Sequence, residues 1–210
     1  MKPASDFTKL IDDLIPLPGQ FLVFNTKEDG GASTARPSGK FLNIFKDKKM
    51  AEKVFSVYIR SNKNARSLLR EAKILSQNGS HARAVALAIM SYEELGKSQI
   101  AADFYCGLLP EEEYRNAFRS HKKTSFTSRH RTIGSHEKNV KYGFWIDDSV
   151  AKTLELIRQT ALYVDEKNDP AESFGAEDAA FIIKKVHRHI EYIECAEALN
   201  ERIGSKALFK

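Results

Sequence analysis

The sequence contains little cysteine and no long apolar run. Two of its 210 residues are cysteines. Because Cys106 and Cys195 both lie in apolar helical contexts, we expect buried free thiols in a reducing compartment rather than a disulfide. No apolar stretch approaches the roughly 20 residues of a membrane-spanning helix, and the first residues lack the apolar core and cleavage site of a secretory signal. We therefore expect a cytoplasmic protein that does not bind membranes.

The sequence also lacks several known motifs of catalysis and metal binding. It contains neither the His-Glu-x-x-His motif of zinc peptidases nor the Glu-x-x-His motif of four-helix di-iron sites. Two separated cysteines cannot form a zinc knuckle. The tripeptide Gly96-Lys97-Ser98 lacks the upstream glycine of a phosphate-binding loop. The sequence therefore predicts neither a metal site nor a bound cofactor.

Positive charge is concentrated in one segment. The net charge is +5, but residues 115–141 hold eight lysines and arginines and a single acid, Glu137. The segment also contains three histidines, His121, His130 and His136. Such a basic stripe is the usual footprint of a polyanion partner, and Phe118 and Phe126 offer surfaces on which bases can stack. A solvated loop is the alternative interpretation, because runs of charge are often only that.

The chain divides near residue 45 by composition. Residues 1–45 are interpreted as an irregular N-terminal arm, with an amphipathic piece at Phe7–Ile15 and one short strand candidate at residues 21–24. Residues 46–205 show the three- to four-residue apolar spacing of buried helix faces. We therefore predict an arm followed by one helical domain.

The predicted fold is an all-α bundle of four to five helices. Hydrophobic spacing and capping signals predict helices over residues 47–76, 81–106, a stretch that begins at 110, 149–164 and 176–203. The polar residues 61–64 indicate a kink or an exposed turn in the first of them. Residues 122–145 lack a period and are predicted to form a long loop.

The stretch SYEELGKSQI, Ser91–Ile100, places three charges where a buried helix should continue. At about 100° per residue, Glu94 shares a face with small residues such as Ser91 and Ala101, which allow another helix to approach closely. Glu93 and Lys97 lie one turn apart on a neighbouring flank, in the order that favours an ion pair.

Glu94 requires a partner, because a carboxylate on a close-packed face is costly unless cations or hydrogen-bond donors meet it. The candidate partners are Arg158, His121, Lys122 and Arg188. Two interpretations stay open, a buried glutamate that locks two helices together and a member of a functional site. We interpret His187 and His189, which flank Arg188, as parts of a solvated helix face.

Three segments carry a family resemblance. They are LLREAKILSQNGSHARAVALAIMSYEELGKSQI (68–100), FRSHKK (118–123) and RQTALYVD (158–165). In this order they resemble the AbiV family of bacterial abortive-infection proteins, within the HEPN superfamily, over roughly residues 64–203. The resemblance implies a HEPN-like helical bundle, a homodimer, and a role in phage defence in which infected cells stop growing. A stripe of small residues around Leu87, Ser91 and Ala101 offers one surface for the dimer.

The resemblance also implies a possible chemistry, because many HEPN proteins are metal-independent ribonucleases that use an Arg and a His one or two helical turns apart. Arg115 and His121 have this spacing, with Asn116 directly after the arginine. His136 gives further matches with Arg129 and Arg131. Location favours the first pair, since it opens the basic segment and coincides with the FRSHKK match.

The first functional hypothesis is an effector that binds RNA, tRNA or mRNA, and cleaves it. His121 would transfer protons. Arg115, Arg119 and Lys97 would stabilise phosphorane charge, with Glu94 or Glu93 orienting them. The residues expected to bind RNA are Lys122, Lys123, Arg129 and Arg131. Supporting residues are Glu93, Arg158, Tyr163 and Asp165, of which Tyr163 is expected in the core with its hydroxyl at the rim.

The second hypothesis is a non-catalytic helical module that blocks translation by binding a phage or host protein partner, or RNA. In that case Glu94, Lys97, His121 and Asp165 form a polar network that stabilises the bundle. Whether the protein is an enzyme stays open at this point, and a correctly folded His121→Ala variant separates the two hypotheses.

Overall fold

The computed structural model describes residues 4–14, 48–105, 110–119 and 148–198. The described residues form helices and connecting turns and contain no strand. The helices are α1 (Ala4–Leu14), α2 (Lys48–Gln77), α3 (His81–Tyr105), α4 (Glu111–Arg119), α5 (Asp148–Leu162), α6 (Pro170–Ser173) and α7 (Ala176–Ala198). The predicted all-α bundle is confirmed. The predicted strand at 21–24, the loop at 122–145 and the end of the last helix near 203 lie outside the described residues.

Helices α2 and α3 form an antiparallel pair at the centre of the bundle. Their connection is tight because Gly79 adopts a positive φ of 79°, which a residue without a Cβ does at little cost. The N–H groups of Gly79 and Ser80 donate to the carbonyls of Ser76 and Leu75, which closes the end of α2. The Ser91 hydroxyl of α3 donates to the Ala65 carbonyl of α2 at 2.7 Å.

The prediction of a kink or exposed turn at residues 61–64 is wrong. α2 runs without interruption through this polar stretch. Ser61 lies on the buried face, whereas Lys63 and Asn64 are exposed. Polar residues on the solvent side do not interrupt a helix whose other side packs against the core, because packing outweighs their weak local preferences.

The first helix belongs to the packed core. Ile11 of α1 is fully buried, and the Phe7 ring meets Phe174 edge to face at 5.5 Å between centroids. The Lys185 ammonium of α7 forms an ion pair with Asp12, although the Lys185 side chain is only 4% exposed. The amphipathic piece recognised in the arm is therefore a helix that covers α7. Residues 15–47, the rest of the predicted arm, are outside the described residues.

A second hydrophobic cluster joins α4 to the end of α3. The Tyr114 ring of α4 stacks on Phe104 of α3 at 4.4 Å and contacts Phe118 at 4.9 Å. Ala117 is buried in one hydrophobic cluster with Ile100 and Ala101 of α3 and Val54 and Tyr58 of α2. This packing fixes α4 on one side of α3 and thereby determines where the basic segment begins.

Candidate functional site

α3 is enclosed by α2, α4, α5 and α7, and one stripe of it stays open. Between Ala84 and Phe104, every described residue of α3 is buried except five that are partly exposed, namely Leu87, Met90, Glu93, Glu94 and Lys97. Their spacing of three or four residues places them on one side of the helix. We call this side the open stripe. The three charges of SYEELGKSQI therefore occupy the part of a buried helix that its neighbours leave uncovered.

On the open stripe, Glu94 is paired with Lys97. The Lys97 ammonium donates to Oε1 of Glu94, and the two side chains are 27% and 16% exposed. The predicted pairing of Lys97 with Glu93 is therefore wrong, because the ammonium binds the Glu94 carboxylate, three positions earlier on the helix. Neighbours at both i+3 and i+4 lie within reach on a helix, so spacing alone did not decide between the two glutamates.

Glu93 instead meets Arg158 of α5. The Arg158 Nε atom lies 3.5 Å from Glu93 Oε1. The same guanidinium donates to both carboxylate oxygens of Glu155, at 2.5 and 2.6 Å from Nη2 and 3.1 Å from Nε. Arg158 was expected as a candidate partner of Glu94, and this expectation is wrong, because Arg158 pairs with Glu93 and Glu94 pairs with Lys97. Glu93, Glu94, Lys97, Glu155 and Arg158 together are the α3–α5 charge cluster.

The pairing in this cluster has a clear electrostatic consequence. Hydrogen bonding to Glu155 raises the pKa of the Arg158 guanidinium, burial lowers it, and the charges of Glu93, Glu155 and Tyr163 raise it further. Arginine is always protonated in proteins, so the upward shift of the pKa means that the carboxylates favour the charged form. The cluster holds its cations in fixed places, which is a property that both a structural lock and a functional site require.

The cluster contains one residue that sequence reasoning missed. Glu155 is the main partner of Arg158 and also accepts a hydrogen bond from Gln159 Nε2 at 2.8 Å. The signal was present, because Glu155, Arg158 and Gln159 have the i, i+3 and i, i+4 spacings of paired side chains on a helix.

The C-terminal end of α5 differs from the expectation. Tyr163 is 66% exposed rather than in the core, although its charge contribution to Arg158 places it near the cluster. Asp165 is exposed and stabilises a turn, since its Oδ1 accepts the Lys167 N–H at 2.7 Å. Its backbone also pairs with Asn168. The helix ends before Tyr163, which turns this residue out of the buried face.

The interpretation of the α7 histidines is correct for one and wrong for the other. His189 is fully buried, with its ring 5.2 Å from Tyr92 in an edge-to-face contact. His187 is partly exposed and its Nδ1 lies 3.3 Å from Glu191 Oε2. Arg188 is exposed and lines a groove between α7 and α2, so it is not the partner of Glu94. Two positions separate the histidines, which turns them to different sides of the helix.

α4 lies on the same side of α3 as the open stripe. Lys97 and Phe104 are seven residues apart, which places them on one face at a distance of about 10 Å along the axis. Phe104 stacks on Tyr114 of α4. The open stripe therefore ends where α4 begins to cover α3, and α5 borders the stripe through Arg158.

The predicted arginines of α4 are partly described. The Arg115 guanidinium is 61% exposed and donates to Glu111 Oε1, at 3.0 Å from Nε and 2.5 Å from Nη2. Arg119 is the last residue of α4, and its side chain is outside the description. Other predicted site residues also lie outside the described residues, namely His121, Lys122, Lys123, Arg129 and Arg131.

The proposed dimer surface has a different use within the chain. Ser91 and Ala101 are fully buried, and Ser91 bonds to α2. The small residues thus allow α2 to approach α3 closely, and a homodimer would need another surface. Among the described residues, no group of three or more side chains of the metal-binding types is close enough to hold an ion. None of the described helices is long and apolar enough to cross a membrane.

Comparison with known proteins supports the resemblance. The sequence model of the HEPN family described as AbiV matches residues 53–191, more than half of the chain. The chain belongs to the AbiV family of HEPN proteins. The matched region runs from α2 to α7 and includes the open stripe and the whole charge cluster. No curated protein and no solved structure gives a significant match.

Proposed function

We propose that this AbiV-family protein is an abortive-infection effector that binds RNA and cleaves it without a metal ion, which arrests translation and growth. One observation carries the proposal. α4 ends at Arg119 and α5 begins at Asp148, and both helices border the open stripe. The basic segment begins on α4, so Arg115 and the rest of its described part lie on the helix that packs beside the open stripe. His121 follows the end of α4 by two residues.

The reaction follows from the chemistry of RNA. The ribose 2′-oxygen attacks the adjacent phosphorus, the bond to the 5′-oxygen breaks, and a 2′,3′-cyclic phosphate and a 5′-hydroxyl form. A base takes the 2′-proton and an acid protonates the leaving oxygen, which is a task suited to His121. Arg115, Arg119 or Lys97 stabilises the additional negative charge of the phosphorane. The nucleophile belongs to the RNA itself, so a metal-bound water is not needed.

In this proposal the charge cluster positions groups around the reacting phosphate. Glu94 holds Lys97 at the edge of the open stripe, and Glu93 and Glu155 hold Arg158. Lys122, Lys123, Arg129 and Arg131 bind the RNA backbone on either side of the cleaved bond. Tyr163, exposed near Arg158, offers a ring for base stacking. RNA, either tRNA or mRNA, is the proposed partner, and the protein acts as a homodimer.

The deciding experiment is digestion of tRNA and total RNA by the purified protein in EDTA. We expect cleavage that yields cyclic phosphate ends and falls by about 100-fold or more in His121→Ala, since general acid–base catalysis typically contributes that much. His130→Ala is the matched control in the same basic segment, and His136→Ala tests the rival arginine–histidine pairs. Intact RNA at high protein concentration, or equal cleavage by His121→Ala, would refute the proposal.

One observation favours the alternative, a non-catalytic module that binds a phage or host protein partner and blocks translation. Arg115 is bonded to Glu111 on the exposed side of α4, so its guanidinium is already paired. If the module is non-catalytic, a folded His121→Ala protein remains toxic in cells and neither form cuts RNA. Circular dichroism and melting temperature establish that the variant is folded.

A further inference from the structure

A second basic surface lies away from the open stripe. α2 and α7 are separated near the end of α2 by an open groove of about 470 Å³. Its cationic side chains are Lys73 of α2 and Lys184 and Arg188 of α7, and all three are exposed. Ile183 and Ala180 contribute apolar surface to its lining. We call this the α2–α7 groove. Neither hypothesis drawn from the sequence uses it.

The three cations of the groove have no ion-pair partner within the described parts of the chain. The one carboxylate in the lining, Glu191, lies 3.3 Å from His187. Lys184 and Arg188 are four residues apart, which sets them side by side with an axial separation of about 6 Å. A concave surface with grouped cations raises the local concentration of anions.

The end of α2 adds hydrogen-bonding groups to this charge. The carbonyls of Ile74, Leu75 and Ser76 accept the N–H groups that follow the helix, so their negative ends are not directed freely into the groove. The Ser76 hydroxyl and the Gln77 amide line the groove as well. Phosphate oxygens and ribose hydroxyls are the ligands that such groups, together with lysine and arginine, bind in nucleic acids.

The shape of the charged surface favours a polymer over a small anion. Arg70 is exposed one turn before Lys73, so the positive surface extends beyond the groove along α2. The groove has cations on both walls and beyond its end. Such a row of positive charges fits an extended chain of phosphates, because the backbone of a nucleic acid is a linear array of negative charges.

We infer that the α2–α7 groove binds the phosphodiester backbone of RNA at a second location, separate from the open stripe. The inference rests on the proposed function in that RNA is the partner, but it requires binding only and no cleavage. The groove would hold an RNA whose cleaved bond lies at the charge cluster, or retain the RNA after it is cut.

The test measures binding without chemistry. A short, fluorescein-labelled 2′-O-methyl RNA cannot be cleaved through its 2′-oxygen, so its anisotropy reports affinity alone. The variant Lys73→Gln/Lys184→Gln/Arg188→Gln is compared with Arg60→Gln/Lys63→Gln/Lys152→Gln, which removes the same charge from exposed positions elsewhere. Because all six positions are exposed, both variants should have the melting temperature of the wild type.

We expect the groove variant to bind roughly 10-fold more weakly or worse at about 50 mM salt. The plot of log affinity against log salt should become shallower by about 2, since each single-strand phosphate contact contributes about 0.7 to the slope. The control variant should keep more of both. Equal affinity and slope in the two triple variants, or absence of RNA binding by the wild type, would overturn the inference.

Two further outcomes separate this inference from the proposed function. If unmodified RNA is never cut but the groove variant still loses binding, cleavage fails and the groove stands. If RNA is cut and the groove variant binds as the control does, the groove fails and cleavage stands. A groove variant that keeps RNA but no longer binds poly-glutamate would assign the groove to an acidic polypeptide instead, which also overturns the inference.

Discussion

The α3–α5 charge cluster and the α2–α7 groove contain similar side chains in opposite arrangements. In the cluster, each cation contacts a carboxylate and the side chains of Glu93, Glu94, Lys97, Glu155 and Arg158 are between 16% and 27% exposed. In the groove, three cations are exposed and a single carboxylate is paired with a histidine. Charges that are paired within the chain fix the local arrangement of side chains, whereas unpaired charges at the surface attract an oppositely charged partner.

The two arrangements indicate how roles can be assigned to charged residues in a helical bundle. Burial makes an unpaired charge costly, so a buried charge comes with a partner and both are sensitive to substitution. An exposed lysine or arginine contributes little to folding, and its removal therefore tests function with little effect on stability. The two regions should respond in opposite ways to the same type of substitution.

The largest expected effect on stability comes from Arg158→Met. The substitution leaves the carboxylates of Glu93 and Glu155, 20% and 16% exposed, without their guanidinium. We expect the free energy of unfolding to fall by about 2 to 4 kcal/mol, because removal of one partner from a largely buried pair leaves the other uncompensated. Urea denaturation at neutral pH measures this change.

The matched control is Arg188→Met in the α2–α7 groove, where the side chain is exposed. Its free energy of unfolding should stay within about 0.5 kcal/mol of the wild type. If both variants lose the same stability, the distinction between a paired cluster and an unpaired groove is wrong.

A smaller effect is expected from double-mutant cycles that compare a shielded and an exposed side-chain pair. Glu94→Gln and Lys97→Met, alone and together, should show a coupling of about 1 kcal/mol, since the pair is largely shielded from water. The pair of His187 and Glu191, 43% and 59% exposed, should show a coupling of about 0 to 0.5 kcal/mol with His187→Gln and Glu191→Gln. Greater coupling at the exposed pair would contradict our ranking of the two regions.

Much of the fold could be predicted because apolar spacing reports which side of a helix is buried. The apolar spacing from Met50 to Leu75 predicts one face of α2. Most members of that face are buried, namely Val54, Tyr58, Ala65, Leu69 and Ala72, whereas Met50, Leu68 and Leu75 are half-buried. The predicted helix over residues 81–106 followed from equally local signals and agrees with α3, His81–Tyr105. The family resemblance added the assignment to the AbiV family, which the match over residues 53–191 confirms.

The details of the site were harder to predict, because they depend on distances between helices. Spacing places Glu93, Glu94 and Lys97 on neighbouring flanks but does not show which flank stays open after α4 and α5 pack. His189 looked like a surface residue beside Arg188, and only its contact with Tyr92 identifies it as core. Lys185 is likewise buried because α1 supplies Asp12, a residue more than 170 positions earlier in the sequence.

The smallest expected effect concerns the contact that holds α4 beside the open stripe. Burial raises the pKa of Tyr114 above its ordinary value of 10.0, and Arg115 opposes the shift. In the folded protein Tyr114 keeps its proton at a pH where the unfolded chain has lost it. The stabilising contribution is therefore fully present below about pH 10 and is lost as the pH rises through the folded-state pKa. Above pH 10, the melting temperature of Tyr114→Phe should therefore fall less than that of the wild type.

The reference for this prediction is the wild type, measured over the same pH range. Because Phe104 and Tyr114 make an uncharged contact, added salt should not alter the difference between Tyr114→Phe and the wild type. An alkaline loss that is equal in Tyr114→Phe and the wild type would show that burial does not raise the pKa of the half-buried Tyr114, and the packing of α4 beside the open stripe would lose that support.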